Sequence, residues 1–163
     1  MRIAVSVFVL PLILTASISA AQGLLDSHFG AAAPHRGGCF HRDYSADHLA
    51  RHPDQRVTSI TLAPVPLDSP EGEIELNVMI RLRGGGVYSS LAYCSPSRAT
   101  LACGMEGDAG TFTLTGAADS ALLLTVGPHG ISFEGDSEFI ALEPDRGDDR
   151  VFLIPNVNAD TCT

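Results

Sequence analysis

The chain has 163 residues, ten basic against nineteen acidic side chains, and a formal net charge of −9 at pH 7. All ten basic residues are arginine and tryptophan is absent, so no Schiff-base or phosphate-loop lysine exists, nor any indole for stacking on sugars. An acidic chain without clustered Lys/Arg is a poor match for nucleic acid or an anionic membrane surface. A cationic partner is compatible with it.

The chain opens with a short positive start, Met1-Arg2, and an apolar run from Ile3 to Leu14. Small residues follow at Ser19-Ala20-Ala21. This pattern predicts a secretory signal peptide over residues 1–21, with the mature chain beginning near Gln22. Removing it leaves 142 of the 163 residues and takes Arg2 away, moving the net charge from −9 to −10. That length suits one domain, able to bury roughly 68–70% of its unfolded surface. No later apolar run is long enough for a membrane span; the longest, Ala121 to Leu124, is a fraction of one. A periplasmic or secreted location is expected.

Residues 22–38 are small and Gly/Ala-rich, and read as a flexible lead-in to a single β domain over 39–163. Ser45 to His52 reads as one short helix, with Ser45 as cap, Asp47 in the first turn and Pro53 as the stop.

Beyond Pro53 the period becomes two. In Glu73–Arg83, Ile74, Leu76, Val78, Ile80 and Leu82 alternate with polar residues, as a half-buried antiparallel strand requires. Further short strands are expected at 56–62, 87–94, 99–104, 111–115, 121–126, 130–134, 138–142 and 150–154. Between them lie Gly84-Gly85-Gly86, Ser95-Pro96-Ser97, Gly107-Asp108, Gly127-Pro128, Gly135-Asp136 and Arg146-Gly147-Asp148. The loop from Ala63 to Gly72 carries three prolines. About eight short strands with tight turns predict an all-β fold. A small closed or nearly closed antiparallel barrel is favoured, because closure removes edges that no lysine protects; a two-sheet sandwich is the alternative.

Four cysteines in an exported chain read as two disulfides. Cys39, Cys94, Cys103 and Cys162 allow three pairings. Cys39–Cys162 with Cys94–Cys103 is favoured because the first would staple the two ends of the β region. A tight turn at 95–98 would set Cys94 opposite Ala99, so the second pair needs a wider loop. No Cys-x-x-Cys occurs, and staples rather than a reactive site are expected.

Five of the six histidines lie between residues 28 and 52. His48 and His52, four apart on the expected helix, share a face and make a candidate Zn or Cu site, with His41 or Asp54 as further ligands. Arg42, Arg51 and Arg56 in the same segment oppose a cation. The acidic turns at 106–108, 134–138 and 145–149 carry oxygen ligands of the calcium type, without the twelve-residue calcium loop.

The Cys39-Phe40-His41-Arg42-Asp43-Tyr44 and His48-Leu49-Ala50-Arg51-His52-Pro53-Asp54-Gln55 segments, with Asp148–Phe152, resemble a family of small exported bacterial proteins of no assigned function. The resemblance implies a bacterial periplasmic setting and brings no activity, cofactor or catalytic residues.

No Gly-x-Ser-x-Gly elbow is present. The expected role is therefore non-enzymatic binding of a protein or small ligand in the cell envelope, in one version a cationic wall-degrading enzyme held by an inhibitor-like module. Residues 84–163, with eleven acids and three arginines, are the expected binding part. The alternatives are a metal-binding protein using His48 and His52, and a hydrolase. A deep polar pocket with a hydroxyl, a histidine and an acid in hydrogen-bond reach would mark the hydrolase.

Overall fold

The computed structural model describes residues 16–30, 38–65, 72–135 and 138–162, with backbone only over 16–22. Most of the expected leader (1–15), residues 31–37 of the lead-in, the proline-rich 66–71 and the turn residues 136–137 lie outside the described residues.

Nine antiparallel strands form one sheet. They are β1 (Phe40–Asp43), β2 (Val57–Pro64), β3 (Ile74–Leu82), β4 (Val87–Ser97), β5 (Thr100–Met105), β6 (Gly110–Gly116), β7 (Leu122–Glu134), β8 (Phe139–Leu142) and β9 (Val151–Ile154). The order is β1 through β8, with β9 on β7 and a contact between β4 and β7 at Ser89 and Glu134. The far end of the sheet returns to β1 through a single bridge, Phe40 to Asn156, and the bond from His41 N to Pro155 O. The sheet is thus curled into a partial ring. It is a single sheet and not the two packed sheets of the alternative.

The period-two pattern sets the inside. Leu76, Val78 and Ile80 of β3 are buried, as are Ile60 and Leu62 of β2 and Phe112 and Leu114 of β6. Four phenylalanines, Phe40, Phe112, Phe133 and Phe152, fill the interior at 0–1% exposure. Gly84, Gly85 and Gly86 all take positive φ in the β3–β4 turn, which side chains disfavour.

The strand β7 joins two expected strands into one. Its inward residues are Leu122, Leu124 and Val126 before Gly127, then Ile131 and Phe133 after Gly130. Even positions give way to odd ones, so one irregularity inverts the facing. The pairing with β6 also slips, between Gly110 and Phe112. Gly130 and Gly110 lie against each other there; a Cβ on Gly110 would run into the Gly130 carbonyl. Before the kink β7 pairs with β6 and β9; after it, Ile131 still pairs with Gly110 of β6, Ile131 to Glu134 pair with β8, and Glu134 meets Ser89 of β4.

Two helices accompany the sheet. The helix α2 (Ala46–Arg51) matches the expected one, with Ser45 Oγ accepting from His48 N at 3.2 Å. Arg83 donates to the Leu49 and His52 carbonyls at its C-terminal end. The other, α1 (Ala16–Phe29), corrects the expected flexible lead-in over its first part. Leu24, Leu25 and Phe29 are buried, and α1 covers the end of the ring where β4 and β6 finish and β5 begins. Phe29 lies 5.3 Å from Phe40, ring to ring. The physical reason is the spacing of Leu24, Leu25, His28 and Phe29, which puts an apolar stripe on one face of a short helix.

Both favoured disulfides are present. Cys39–Cys162 joins the start of β1 to a terminal 3-10 turn (Ala159–Cys162) across 123 residues, beside the bridge that returns the sheet to β1. Cys94 and Cys103 stand directly opposite on β4 and β5. The expected wider loop is absent: β4 runs on through Pro96, and the turn is displaced to a tight two-residue loop at Arg98-Ala99, with Arg98 at φ 57°. That shift brings the two cysteines into register.

Candidate functional site: an acidic, aromatic-rimmed groove

The end of the ring opposite α1 is formed by the β3–β4 turn, the β5–β6 connection and the end of β7. There a groove of about 460 Å³ opens between β4, the 3-10 turn Glu106–Asp108, β7 and β8. Its walls are Ser90, Ser132, Ala109 and Phe133, its charges are Glu106 and Glu134, and its rim carries Phe139. Beyond the kink β7 keeps its link to β6 through Ile131 and Gly110 and through the bond from Ser132 N to the Ala109 carbonyl, and it also meets β4 at Ser89 and pairs with β8.

Phe139 is 76% exposed, the most exposed of the large apolar side chains among the described residues. It sits on β8, a four-residue strand whose only strand partner among the described residues is β7. The guanidinium of Arg56 reaches across to the Ala141 carbonyl on the same short strand.

Among the described residues no cation lines the groove, and neither Glu106 nor Glu134 enters a salt bridge. Two tyrosines are shifted by carboxylates near this end of the ring. Tyr88 donates from its hydroxyl to Glu138 Oε1 at 2.8 Å, and that bond raises its pKa above the ordinary 10.0. Tyr93, 50% exposed, is likewise raised, by desolvation and then by Glu75 and Glu106. Carboxylates with aromatic faces in a concave surface suit an organic cation.

The sequence-predicted metal residues are brought together, but not as a metal site. The His48 and His52 rings stack at 4.4 Å and 20°, with Tyr44 against His48 at 4.8 Å and Arg42 4.6 Å over Tyr44. Stacked rings hold their in-plane nitrogens parallel, whereas chelation needs them convergent. His48 Nε2 is bonded to Gln55 Oε1 at 2.9 Å, and His52 Nδ1 to Asp148 Oδ2 at 3.2 Å. His41 lies elsewhere, paired with Asp43 and Thr61, and Asp54 joins no group of ligands. Among the described residues no three His, Cys, Asp or Glu side chains gather as a metal would require.

The acidic turn near 145–149 is engaged internally. Asp149, 1% exposed, accepts from Arg56 N at 2.8 Å and Val57 N at 3.0 Å, pinning the start of β2. Asp148 pairs with His52 and Glu143 with Arg146. The groove was outside the reach of the sequence reading. Its residues come from four separated segments; the acid excess of 84–163 and the acidic turns at 106–108 and 134–138 point toward it, without showing that they meet.

No protein-family model, no curated protein and no solved structure matches this chain.

Proposed function

We propose that the protein is an exported binding module, and that the groove receives a cationic group of a protein partner in the bacterial cell envelope. The single observation carrying this reading is the groove itself: Glu106 and Glu134 without a cation in the lining, beside the exposed ring of Phe139. A protonated arginine or lysine side chain would meet carboxylates at the walls and an aromatic face at the rim. The overall negative charge would steer such a partner toward the surface.

Two disulfides accord with an oxidising compartment. No helix among the described residues is long and apolar enough to cross a membrane. Cleavage of the proposed leader after Ala21 would keep Leu24, Leu25 and Phe29, the buried residues of α1, in the mature chain.

The partner class that fits best is a cationic wall-degrading enzyme of the lysozyme type, held in an inhibitor-like complex. The mature protein is titrated by calorimetry with such an enzyme at low and at physiological ionic strength. Saturable binding that weakens as salt rises supports the reading. No heat at low ionic strength contradicts this partner class.

A further inference from the structure

A second pocket, of about 190 Å³, lies on the outer face of β1, β2 and β3, beneath the 3-10 turn that Cys162 ties to Cys39. Antiparallel register places His41 opposite Thr61, and Asp43 opposite Ser59, with Arg81 of β3 beyond Ser59. These side chains share one face because the strand period is two. His41 Nδ1 is 2.8 Å from Thr61 Oγ1, and His41 Nε2 is 3.0 Å from Asp43 Oδ2.

A neutral His41 ring satisfies both bonds in one tautomer. An ionised carboxylate only accepts, so Nε2 carries the proton that it donates to Asp43. In the neutral ring Nδ1 is then a lone pair, and Thr61 Oγ1–H must be the donor to it. A hydroxyl is thereby aimed, proton first, at a base that a third group orients. That is the arrangement required for an activated nucleophile. His41, 21% exposed, and Thr61, 7% exposed, both line the pocket, while Asp43 stands outside it at 79% exposure and holds the imidazole from the solvent side.

We infer that Thr61, His41 and Asp43 form an acyl-transfer site for esters of small carboxylic acids. This activity is independent of the groove and of the binding role assigned to it. Thr61 Oγ1 attacks the ester carbonyl carbon while its proton passes to His41 Nδ1. The bond from that carbon to the leaving oxygen then breaks, and the Nδ1 proton transfers to the leaving alcohol. Water attacks the resulting acyl-threonine, giving a proton to Nδ1. The bond from the acyl carbon to Oγ1 breaks, Oγ1 regains its proton, and the acid departs. Asp43 holds the Nε2 proton throughout and is a positioning residue. Arg81, in the same lining, offers a guanidinium to the developing oxyanion. The pocket volume of about 190 Å³ suits a small acyl group.

The absence of lysine makes the test clean, because no ε-amine competes for acetyl groups. The full chain is incubated with p-nitrophenyl acetate, followed by nitrophenolate release and peptide mapping by mass. The expected result is an acetyl group on the peptide bearing Thr61, absent in Thr61→Val and retained in Thr61→Ser. His41→Gln should slow acylation by at least about tenfold, the lower side of general-base effects. Acetylation confined to histidine, tyrosine or the α-amine overturns the assignment. So does nitrophenolate release that is equal in the wild type, Thr61→Val and Thr61→Ser.

Discussion

Cys94 and Cys103 face each other across β4 and β5 with Cα atoms 4.0 Å apart, closing a loop only 9 residues long, whereas Cys39 and Cys162 close one of 123. Cross-linking stabilises chiefly by restricting the unfolded chain, and the restriction grows with loop length. Replacing Cys39 and Cys162 by alanine should therefore cost about 5 kcal/mol, and replacing Cys94 and Cys103 about 2.5–3 kcal/mol, in the chain-entropy account. Urea unfolding of the two double variants checks the order. A larger loss from the short loop would show that the ends of the ring do not depend on the long staple.

The helix α1 offers a second test. Phe29 is buried against Phe40 and Leu24 lies over Gly116, where a Cβ would stand 3.1 Å from its Cδ1. In the mature protein Phe29→Ala should cost about 3 kcal/mol, and Leu24→Ala about 2–3 kcal/mol, as for other large-to-small core changes. A residue in a free tail would change stability by no more than about 0.5 kcal/mol. Urea midpoints that do not move would mean that α1 contributes nothing to the fold.

The strands were legible where one face is apolar and the other polar, as in β3, because side-chain direction alternates by residue. Three elements were not. β1 is short and carries His41, Arg42 and Asp43, so only Phe40 marks an inside face. In β7, Gly127-Pro128 has turn chemistry, yet a proline at a strand irregularity lacks only an N–H that the kink has already taken out of the ladder. In α1 the apolar stripe is just two turns long, flanked by alanine and glycine that read as linker. The histidine pair shows the complementary limit. Spacing placed His48 and His52 on one face, but whether two imidazoles converge or stack depends on Gln55, just past the helix, and on Asp148, which arrives from a distant segment.

The tyrosines provide a spectroscopic check on the acidic end of the ring. Tyr44 is raised by burial, Tyr88 by its bond to Glu138, and Tyr93 by desolvation and neighbouring carboxylates. Alkaline titration of tyrosinate absorbance should thus begin above the ordinary value of 10.0. Glu138→Gln should lower one of the three transitions. A folded-state pKa above the unfolded one means that the associated stability is present below the unfolded value and is lost as pH rises through the folded value. Unfolding should accordingly become easier above about pH 10, and less steeply so in Glu138→Gln. Unchanged titration in that variant would remove the Tyr88–Glu138 bond from the account.

The most direct test of the groove compares the mature wild type with a Glu106→Gln/Glu134→Gln/Phe139→Ala variant, titrated into the same cationic lysozyme-type enzyme by calorimetry at low salt. These side chains form no salt bridge among the described residues, and Phe139 is largely exposed, so the urea midpoint should be unchanged. The account predicts that the triple variant binds at least about a hundredfold more weakly, the scale of two charge contacts and one aromatic contact. Equal affinity of the two folded proteins would contradict it.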